Sequence, residues 1–534
     1  LLPEHPAPDM LGLAVSSYAY SPSARPANAP TQQRAAVSTS VRMSAAGGTE
    51  TVDFTQGAIR PQRDVMDEQM RPRPQIAWQQ LRSRLEIEFG MKDSDLKQFD
   101  EIPDDAILDA YEMMQLCRQF ENACNQAYMQ GNIRGFMHLD NGQESIPAML
   151  ADFIKKEDIK YSYYREHTHA LASGIDPGAI MAELFAKDGG TCRGTGGSMH
   201  IYDVDTHFQG GWALVSEQLP YAAGAARSIK LDRELGLAPE GDDRMAVVFC
   251  GEGGSQNGRM AETLNAAAKE NLPLLFIVID NGRAINTFTP DVAQNSDVFM
   301  QGQHYGVPGI KVDGSDLVDT LRTGRAVSSY VRSKGPAILQ IHTYRFMGHS
   351  PADPEHERGR KVEKRWARAE CDPIKIFEST DVASRIDIEG ANARVKAEVK
   401  KALDFARDSP EPAASLAKEL EFPDAPDTDY NGRAAPADGA AITAATVSDE
   451  KMEAVQAHIT ALKGKAADGT ISIGDAVNLA ILEEMLRDPK TTIHAEDLQA
   501  GSSYDIPKMT QQTFGTLRAA DEIIDEGHFI GKAL

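Results

Sequence analysis

A carboxylate and an amide follow two apolar runs of the chain, and their spacing suggests a ligand site. Glu252 follows the run Met245–Cys250, and Asn281 follows the run Leu272–Ile279. Glycines surround Glu252 in FCGEGG, and they let backbone N–H groups approach a ligand closely. A helix predicted to begin near Asn257 would present a partly positive end, which suits phosphate. Because two anions repel, Glu252 fits beside phosphate if a divalent cation lies between them. The oxygens of the Glu252 carboxylate and the Asn281 amide are typical ligands of a magnesium ion.

The glycine cluster can also be a purely structural turn, or part of another nucleotide site. A nicotinamide site of the Rossmann type requires G-x-G-x-x-G, and GEGGSQNG does not supply that spacing. A phosphate loop requires Gly-Lys followed by Ser or Thr, which this stretch lacks. The carboxylate and the amide, separated by strand, helix and strand, favour a metal–diphosphate site over these alternatives.

The elements that must position these residues follow the pattern of an α/β protein. Apolar residues recur at helical spacing from Asp104 onwards, and from there to about residue 380 helical patterns alternate with short apolar runs such as Ala337–His342. Continuous apolar strands separated by helices predict a parallel sheet with helices on both faces. Ligands of such sheets bind beyond the carboxyl ends of the strands, where Glu252 and Asn281 would lie.

Composition excludes some classes of protein. The 534 residues carry a formal net charge of −24, which argues against nucleic acid as a partner because phosphate backbones bind clustered Lys and Arg. No apolar run approaches the roughly 20 residues of a membrane helix, so no membrane partner is predicted. The five cysteines are scattered without zinc-finger spacing, and we interpret them as reduced thiols.

Four further stretches, together with the glycine cluster, carry a resemblance to a known family: GFMHLDNGQES (135–145), YYREHTHAL (163–171), CRGTGGSMH (192–200) and YRFMGHSPADP (344–354). In this order they resemble the alpha subunit of the first, decarboxylating component of pyruvate dehydrogenase, over roughly residues 75–420. The resemblance implies a thiamine-diphosphate-binding fold, with thiamine diphosphate and Mg²⁺ as cofactors. It also implies oxidative decarboxylation of a small 2-oxo acid, pyruvate, with transfer of the acetyl group to a lipoyl-bearing dihydrolipoyl acyltransferase. A beta subunit in an α2β2-type assembly would be the other partner.

The same resemblance assigns the metal and diphosphate ligands. It implies that Glu252, Asn281 and the backbone carbonyl of Arg283 hold Mg²⁺. Gly253 and Gly254 would offer backbone N–H groups to the diphosphate. The motif of that alpha subunit has Asp where this chain has Glu252, and the additional methylene is expected to alter the metal geometry.

Other cofactor contacts are implied at four positions. Tyr164 and Arg165 match residues that line the cofactor, and Arg165 would pair with diphosphate oxygens as a fork. Val215 matches the apolar residue that holds the cofactor in its bent form. Ala213 would lie beside the aminopyrimidine.

Three histidines match active-site positions of the family. His138 would hold the substrate carboxylate or the oxyanion that forms on decarboxylation. His349, which also contacts the cofactor, would protonate the thiolate of the lipoyl group. His167 matches a third histidine nearby. Ser350 matches the regulatory phosphoserine of mitochondrial forms, a role left open here.

The two ends of the chain lead to further expectations. Residues 1–48 are rich in Ala, Ser and Pro, with three Arg and two acids, which is typical of a targeting leader, although a disordered tail is the alternative. The motifs are more similar to the plastid form, which indicates the chloroplast stroma, with the mitochondrial matrix as alternative. Residues 471–498 resemble the start of the beta subunit, and Glu526 matches its Glu that activates the cofactor. The alternative for this segment is an unrelated acidic tail.

These patterns predict six divisions of the chain: a targeting leader at 1–48, a linker and N-terminal helix at 49–99, the dehydrogenase domain that binds thiamine diphosphate at 100–380, a helical continuation at 381–423, a linker at 424–447 and a partial, beta-like, pyrimidine-binding α/β segment at 448–534. Two other functions stay open. The substrate could be a branched-chain 2-oxo acid, or the chain could be an inactive structural or regulatory relative, as Glu252 and the incomplete beta-like portion suggest.

Overall fold

The computed structural model describes residues 40–42, 51–53, 77–285, 287–351, 353, 361–421, 439–495, 498 and 506–521. The chain forms two compact units, residues 1–69 and residues 70–534. In the first unit the described residues are two short antiparallel strands, β1 (Ser40–Arg42) and β2 (Thr51–Asp53). Glu526, predicted to activate the cofactor, lies outside the described residues, as does most of the predicted leader.

A parallel sheet of six strands is the centre of the second unit. Its strands are β3 (Ile159–Tyr163), β4 (Phe208–Trp212), β5 (Ala246–Gly251), β6 (Leu274–Asp280), β7 (Gly309–Asp313) and β8 (Ala337–His342). They lie in the order β4-β3-β5-β6-β8-β7, and every neighbouring pair is parallel. The predicted fold class is therefore confirmed.

Helices cover both faces of this sheet. Alternate residues of one strand enter different cores: Val247 lies in the core that includes the helix Leu317–Ser333, and Val248 lies in the core that includes the helix Gln218–Glu234. Both faces of the central strands are therefore buried, which explains why these strands read as continuous apolar runs. The helices of this region are Trp78–Glu88, Asp93–Leu96, Asp104–Met129, Ser145–Phe153, His167–Ala172, Pro177–Leu184, Gln218–Glu234, Gly258–Glu270, Thr289–Val292, Leu317–Ser333, Lys361–Glu370, Pro373–Glu378, Ile388–Asp408 and Leu416–Glu421.

The register of the two central strands places the predicted ligand residues together. β5 and β6 pair from Ala246 with Leu274 to Gly251 with Ile279. Glu252 and Asn281 come directly after these strands, and the Glu252 N–H continues the ladder by donating to the Ile279 carbonyl at 3.1 Å. Both side chains thus reach the same edge of the sheet, as the spacing predicts.

The last described part of the chain forms a smaller α/β segment. It contains the helices Gly439–Thr446, Asp449–Ala467, Ile473–Arg487 and Thr510–Arg518, and the parallel pair β9 (Ile493–Ala495) and β10 (Ala519–Asp521). The helix Gly439–Thr446 occupies the end of the predicted linker, because the Ala-rich run GAAITAAT favours helix once it has left the proline-containing stretch. Across the described residues, no helix is both long enough and apolar enough to span a bilayer.

Candidate active site

A cavity of about 370 Å³ opens at the carboxyl edge of β3, β5 and β6. It is within the size range of sites for small ligands and cofactors. The residues predicted from the sequence that line it are His138, Tyr164, Arg165, Ala213, Val215, Glu252, Gly253, Gly254, Asn281, Arg283 and His349. Segments distant in sequence therefore meet at one place.

Glu252 is the cation-binding candidate of this cavity. Its side chain is 2% exposed, and its Oε2 accepts from the Asn281 backbone N–H at 3.4 Å. No described residue donates to the buried Oε1. Burial, together with the nearby Asp280 carboxylate, raises the pKa of Glu252 to about 7. A buried carboxylate oxygen without a donor is costly, and a cation in the cavity would remove that cost.

Asp280, next to the predicted ligand Asn281, has a different environment. Its carboxylate accepts from Gln340 Nε2 at 2.7 Å and lies 3.2 Å from His342 Nδ1. Burial alone would raise its pKa, but the contacts with His342 and Lys311 hold the pKa of Asp280 well below its usual range. This acid is therefore held by protein groups, and Glu252 is the carboxylate of the pair that can serve a ligand.

Arg283 enters the site through its backbone, whereas its side chain has a packing role. The guanidinium is buried, stacks over the Phe288 ring at 3.8 Å and lies 3.9 Å from Glu363 Oε1. These contacts fix the short loop after Asn281, in which Arg283 and Phe288 also form an antiparallel bridge. The arrangement suits the predicted role of the Arg283 carbonyl as an oxygen ligand.

Arg165 supplies positive charge to the cavity. It is 1% exposed and donates to the Leu139 carbonyl at 2.5 Å and to the His349 carbonyl at 3.1 Å. Among the described carboxylates, none forms an ion pair with it. A buried cation without a counter-charge is expensive, so this position fits a ligand anion such as diphosphate.

Two glycines of GEGG, Gly253 and Gly254, lie close to neighbouring side chains. A Cβ at Gly254 would lie 3.0 Å from Ser216 Oγ, and one at Gly253 would lie 3.2 Å from the Ala284 Cβ. The helix Gly258–Glu270 then begins with Asn257 as its cap, whose Oδ1 accepts from the Arg259 N–H at 3.0 Å, as predicted. The residues present therefore fit both a diphosphate and a divalent cation.

Two histidines and a tyrosine form an aromatic cluster in the cavity. The His138 ring centroid lies 4.7 Å from that of Tyr164 and 4.9 Å from that of His349. Burial, with the Arg165 and His349 charges, lowers the pKa of His138 to about 2. His138 is thus a neutral imidazole that can donate one N–H to an oxygen but brings no charge.

His167, predicted to be catalytic, does not line the cavity. It is 0% exposed, with Nδ1 3.0 Å from Glu121 Oε2 and Nε2 2.8 Å from Ser198 Oγ. It begins the helix His167–Ala172, which turns the side chain away from Arg165, its near neighbour in sequence. The geometry gives His167 a supporting position beneath the loop that contains Ser198.

Sequence reasoning missed several residues that line the cavity: Met199, Ser216, Gln218, Ile285 and Arg345. Ser216 has a positive φ of 66° and donates its hydroxyl to the Gly254 carbonyl at 2.7 Å, so it supports the glycine turn. Its role depends on a backbone conformation that the sequence does not reveal. Arg345 lies within the motif YRFMGHSPADP and could have been selected from it.

The rim of the cavity is apolar and open. Val215 is 51% exposed, and its neighbour Leu214 and Ile285 across the cavity are exposed as well. Large apolar side chains grouped at the mouth of a site are typical of a surface that another protein covers.

The model of the dehydrogenase E1 component family matches residues 112–415, more than half of the chain. The chain belongs to this family. This result confirms the family resemblance and the thiamine-diphosphate-dependent class. The match ends before residue 439, so the beta-like character of the C-terminal segment stays a prediction.

Curated relatives are similar over the same region. The chain is 37% identical over 322 residues to the chloroplastic pyruvate dehydrogenase E1 component subunit alpha-3 of Arabidopsis thaliana, covering 59% of this chain and 74% of the relative. It is 36% identical over 323 residues to the pyruvate dehydrogenase E1 component subunit alpha of Porphyra purpurea, covering 60% and 93%. For the corresponding subunit of Rickettsia bellii the identity is 32% over 308 residues, covering 57% and 91%.

Proposed function

We propose that this chain is the alpha-type subunit of a pyruvate dehydrogenase that uses thiamine diphosphate and Mg²⁺. The observation that carries the proposal is the pairing, in one cavity, of two buried groups: Glu252 Oε1, to which no described residue donates, and the Arg165 guanidinium, which forms no ion pair with a described carboxylate. A metal diphosphate satisfies both groups at once. The names of the relatives support pyruvate as the 2-oxo acid.

Different residues of the chain would bind the metal ion, the diphosphate and the rest of the cofactor. Glu252, the Asn281 side chain and the Arg283 carbonyl would hold Mg²⁺, and Arg165 with the backbone of Gly253 and Gly254 would hold the diphosphate. Tyr164, Ala213 and Val215 would contact the rest of the cofactor. Thiamine diphosphate, when bound, supplies the electron sink for decarboxylation.

The two histidines of the cavity have different tasks. His138, neutral because it is buried beside Arg165, donates an N–H to the substrate carboxylate or to the oxygen on which negative charge develops. His349 is less buried, and Asp353 accepts from its backbone N–H at 2.8 Å, which fixes its loop. It would deliver a proton to the thiolate of a lipoyl group.

Partners and a compartment belong to the same proposal. The apolar rim of Leu214, Val215 and Ile285 suits a beta-type partner, and the three relatives described above are themselves named as alpha subunits. Acetyl transfer would require a lipoyl-bearing dihydrolipoyl acyltransferase. The chloroplastic relative of Arabidopsis thaliana and the composition of residues 1–48 support the plastid stroma and a transit peptide. The division into residues 100–380, 381–423 and 448–534 belongs to this proposal.

Turnover of the assembled enzyme tests this function. The full chain with a beta partner is assayed by reduction of an artificial electron acceptor, with pyruvate and with 3-methyl-2-oxobutanoate, in the presence of thiamine diphosphate and Mg²⁺. We expect turnover that depends on both cofactors and favours pyruvate. Preference for 3-methyl-2-oxobutanoate would establish the branched-chain alternative, and saturable cofactor binding without turnover would establish the inactive one.

A further inference from the structure

Gln143 contacts the proposed metal ligand Asn281 from behind the cavity. Its side chain is 0% exposed, and its Oε1 accepts from Asn281 Nδ2 at 3.3 Å and from Thr343 Oγ1 at 3.1 Å. Its Nε2 donates to Asp140 Oδ1. Every polar atom of this amide therefore has a partner, and its orientation is determined by its neighbours.

Hydrogen-bond donation in this network runs from Asn281 through Gln143 to Asp140. Both carboxylate oxygens of Asp140 accept, Oδ1 from Gln143 and Oδ2 from Thr168 Oγ1 at 2.6 Å. An ionised Asp140 only accepts hydrogen bonds, so it holds the Gln143 nitrogen towards itself and leaves the Gln143 oxygen facing Asn281. That oxygen accepts only from a donor, and the Asn281 nitrogen is therefore the atom turned towards Gln143. The Asn281 side-chain oxygen is therefore the atom that faces away from Gln143.

We propose that Gln143 is a positioning residue that orients the Asn281 amide so that its oxygen, rather than its nitrogen, is presented to the cation. The inference rests on the proposed metal site, and it adds a residue that does not touch the metal. An asparagine amide has nearly the same shape in both orientations, so shape alone does not select one. Hydrogen bonding distinguishes them, and Gln143 supplies a hydrogen bond that favours one orientation.

Orientation matters because Mg²⁺ and Mn²⁺ bind oxygen and not an amide N–H₂ group. A flipped Asn281 would remove one ligand and place two donors beside the cation. Groups that orient a ligand from the next layer typically contribute 10- to 100-fold to metal affinity. The same range is expected for Gln143.

The test uses Mn²⁺ as the probe and the full chain with its beta partner in the presence of thiamine diphosphate. Free Mn²⁺ is counted by electron paramagnetic resonance, which needs no turnover. For Gln143→Met, which keeps the volume and removes the polar atoms, we expect the dissociation constant of Mn²⁺ to rise at least about tenfold. Gln115→Met is the control, because Gln115 is a buried amide that donates to Tyr111 Oη at 2.8 Å, outside this network.

A double-mutant cycle separates orientation from packing. In an Asn281→Asp background the carboxylate presents an oxygen in both orientations, so adding Gln143→Met should change the dissociation constant by less than about threefold. An equal loss in both backgrounds would overturn the inference, since Gln143 would then act through packing. Unchanged Mn²⁺ affinity of Gln143→Met in the Asn281 background would overturn it too.

Two further outcomes are loss of Mn²⁺ binding in the wild-type protein and failure of Gln143→Met to fold. If the wild-type protein shows no saturable Mn²⁺ binding, the proposed metal site fails, and the inference fails with it. If Gln143→Met does not fold, Thr343→Val replaces it, because it removes the second donor to Gln143 Oε1 with little change of shape. We expect a rise of about threefold for Thr343→Val, and no rise would overturn the inference.

Discussion

Glu252 follows β5 and Asp280 ends the neighbouring strand β6, yet described protein groups hold both carboxylate oxygens of Asp280 and leave Glu252 Oε1 without a donor. The difference separates a structural acid from an acid kept for a ligand. It also means that the chain stores an unfavourable buried group at Glu252 until a cation binds.

Removing the charge of Glu252 should not lower the stability of the cofactor-free protein, but it should remove the stabilisation that the cofactors give. We expect Glu252→Gln, measured by thermal unfolding without cofactors, to be at least as stable as the wild type, because the buried carboxylate is gone. The stabilisation that Mg²⁺ and thiamine diphosphate give the wild type should be absent from this variant. Glu252→Asp is the matched control and should retain part of that stabilisation. Full stabilisation of Glu252→Gln by the cofactors would contradict the role of Glu252.

Arg165 should affect diphosphate affinity far more than an exposed arginine. For Arg165→Met we expect the dissociation constant of thiamine diphosphate to rise at least about 30-fold, since losing one partner of a buried charge pair costs about 2 kcal/mol or more. Calorimetric titration measures it. Arg394→Met, which removes an exposed pair with Glu112, should change it little. Equal effects of the two substitutions would argue against Arg165 as the diphosphate ligand.

His138 should make the fold sensitive to acid. The unfolded chain protonates this histidine below pH about 6.5, whereas the folded chain resists protonation down to about pH 2. The unfolded state therefore binds the additional proton, and the free energy of unfolding falls as the pH drops below about 6.5.

Urea unfolding at pH 7.5, 6.5 and 5.5 checks this expectation. His138→Asn should flatten the fall by up to about 1.4 kcal/mol per pH unit, whereas His304→Asn, at an exposed position, should leave it as it is. If the free energy of unfolding depends on pH in the same way for the wild type and for His138→Asn, burial does not lower the pKa of His138 as described.

His167 should matter for stability more than for chemistry. His167→Asn removes the contacts with Glu121 and Ser198 and leaves the buried Glu121 carboxylate without one partner. We expect a loss of about 1–3 kcal/mol in the free energy of unfolding and less than about a tenfold fall in kcat. A large fall in kcat with an unchanged free energy of unfolding would indicate that His167 acts directly in catalysis.

The sequence predicted the elements whose apolar pattern follows from burial. It did not predict side-chain directions and roles that depend on contacts between distant segments. β5 and β6 could be predicted because both faces of each strand are buried, which leaves continuous apolar runs. The direction of the His167 side chain depends on the turn into its helix, which apolar spacing does not encode. The role of Gln143 depends on its contact with Asn281, which is 138 residues away in the chain.

Titration of thiamine diphosphate into the full chain with its beta partner, with Mg²⁺ and with a chelator, tests the central claim most directly. The cavity geometry predicts saturable binding that requires the cation, is lost in Glu252→Gln and is weakened at least about 30-fold in Arg165→Met. Binding that is equally tight in the chelator, or that survives both substitutions, would contradict the assignment of this cavity to a metal diphosphate.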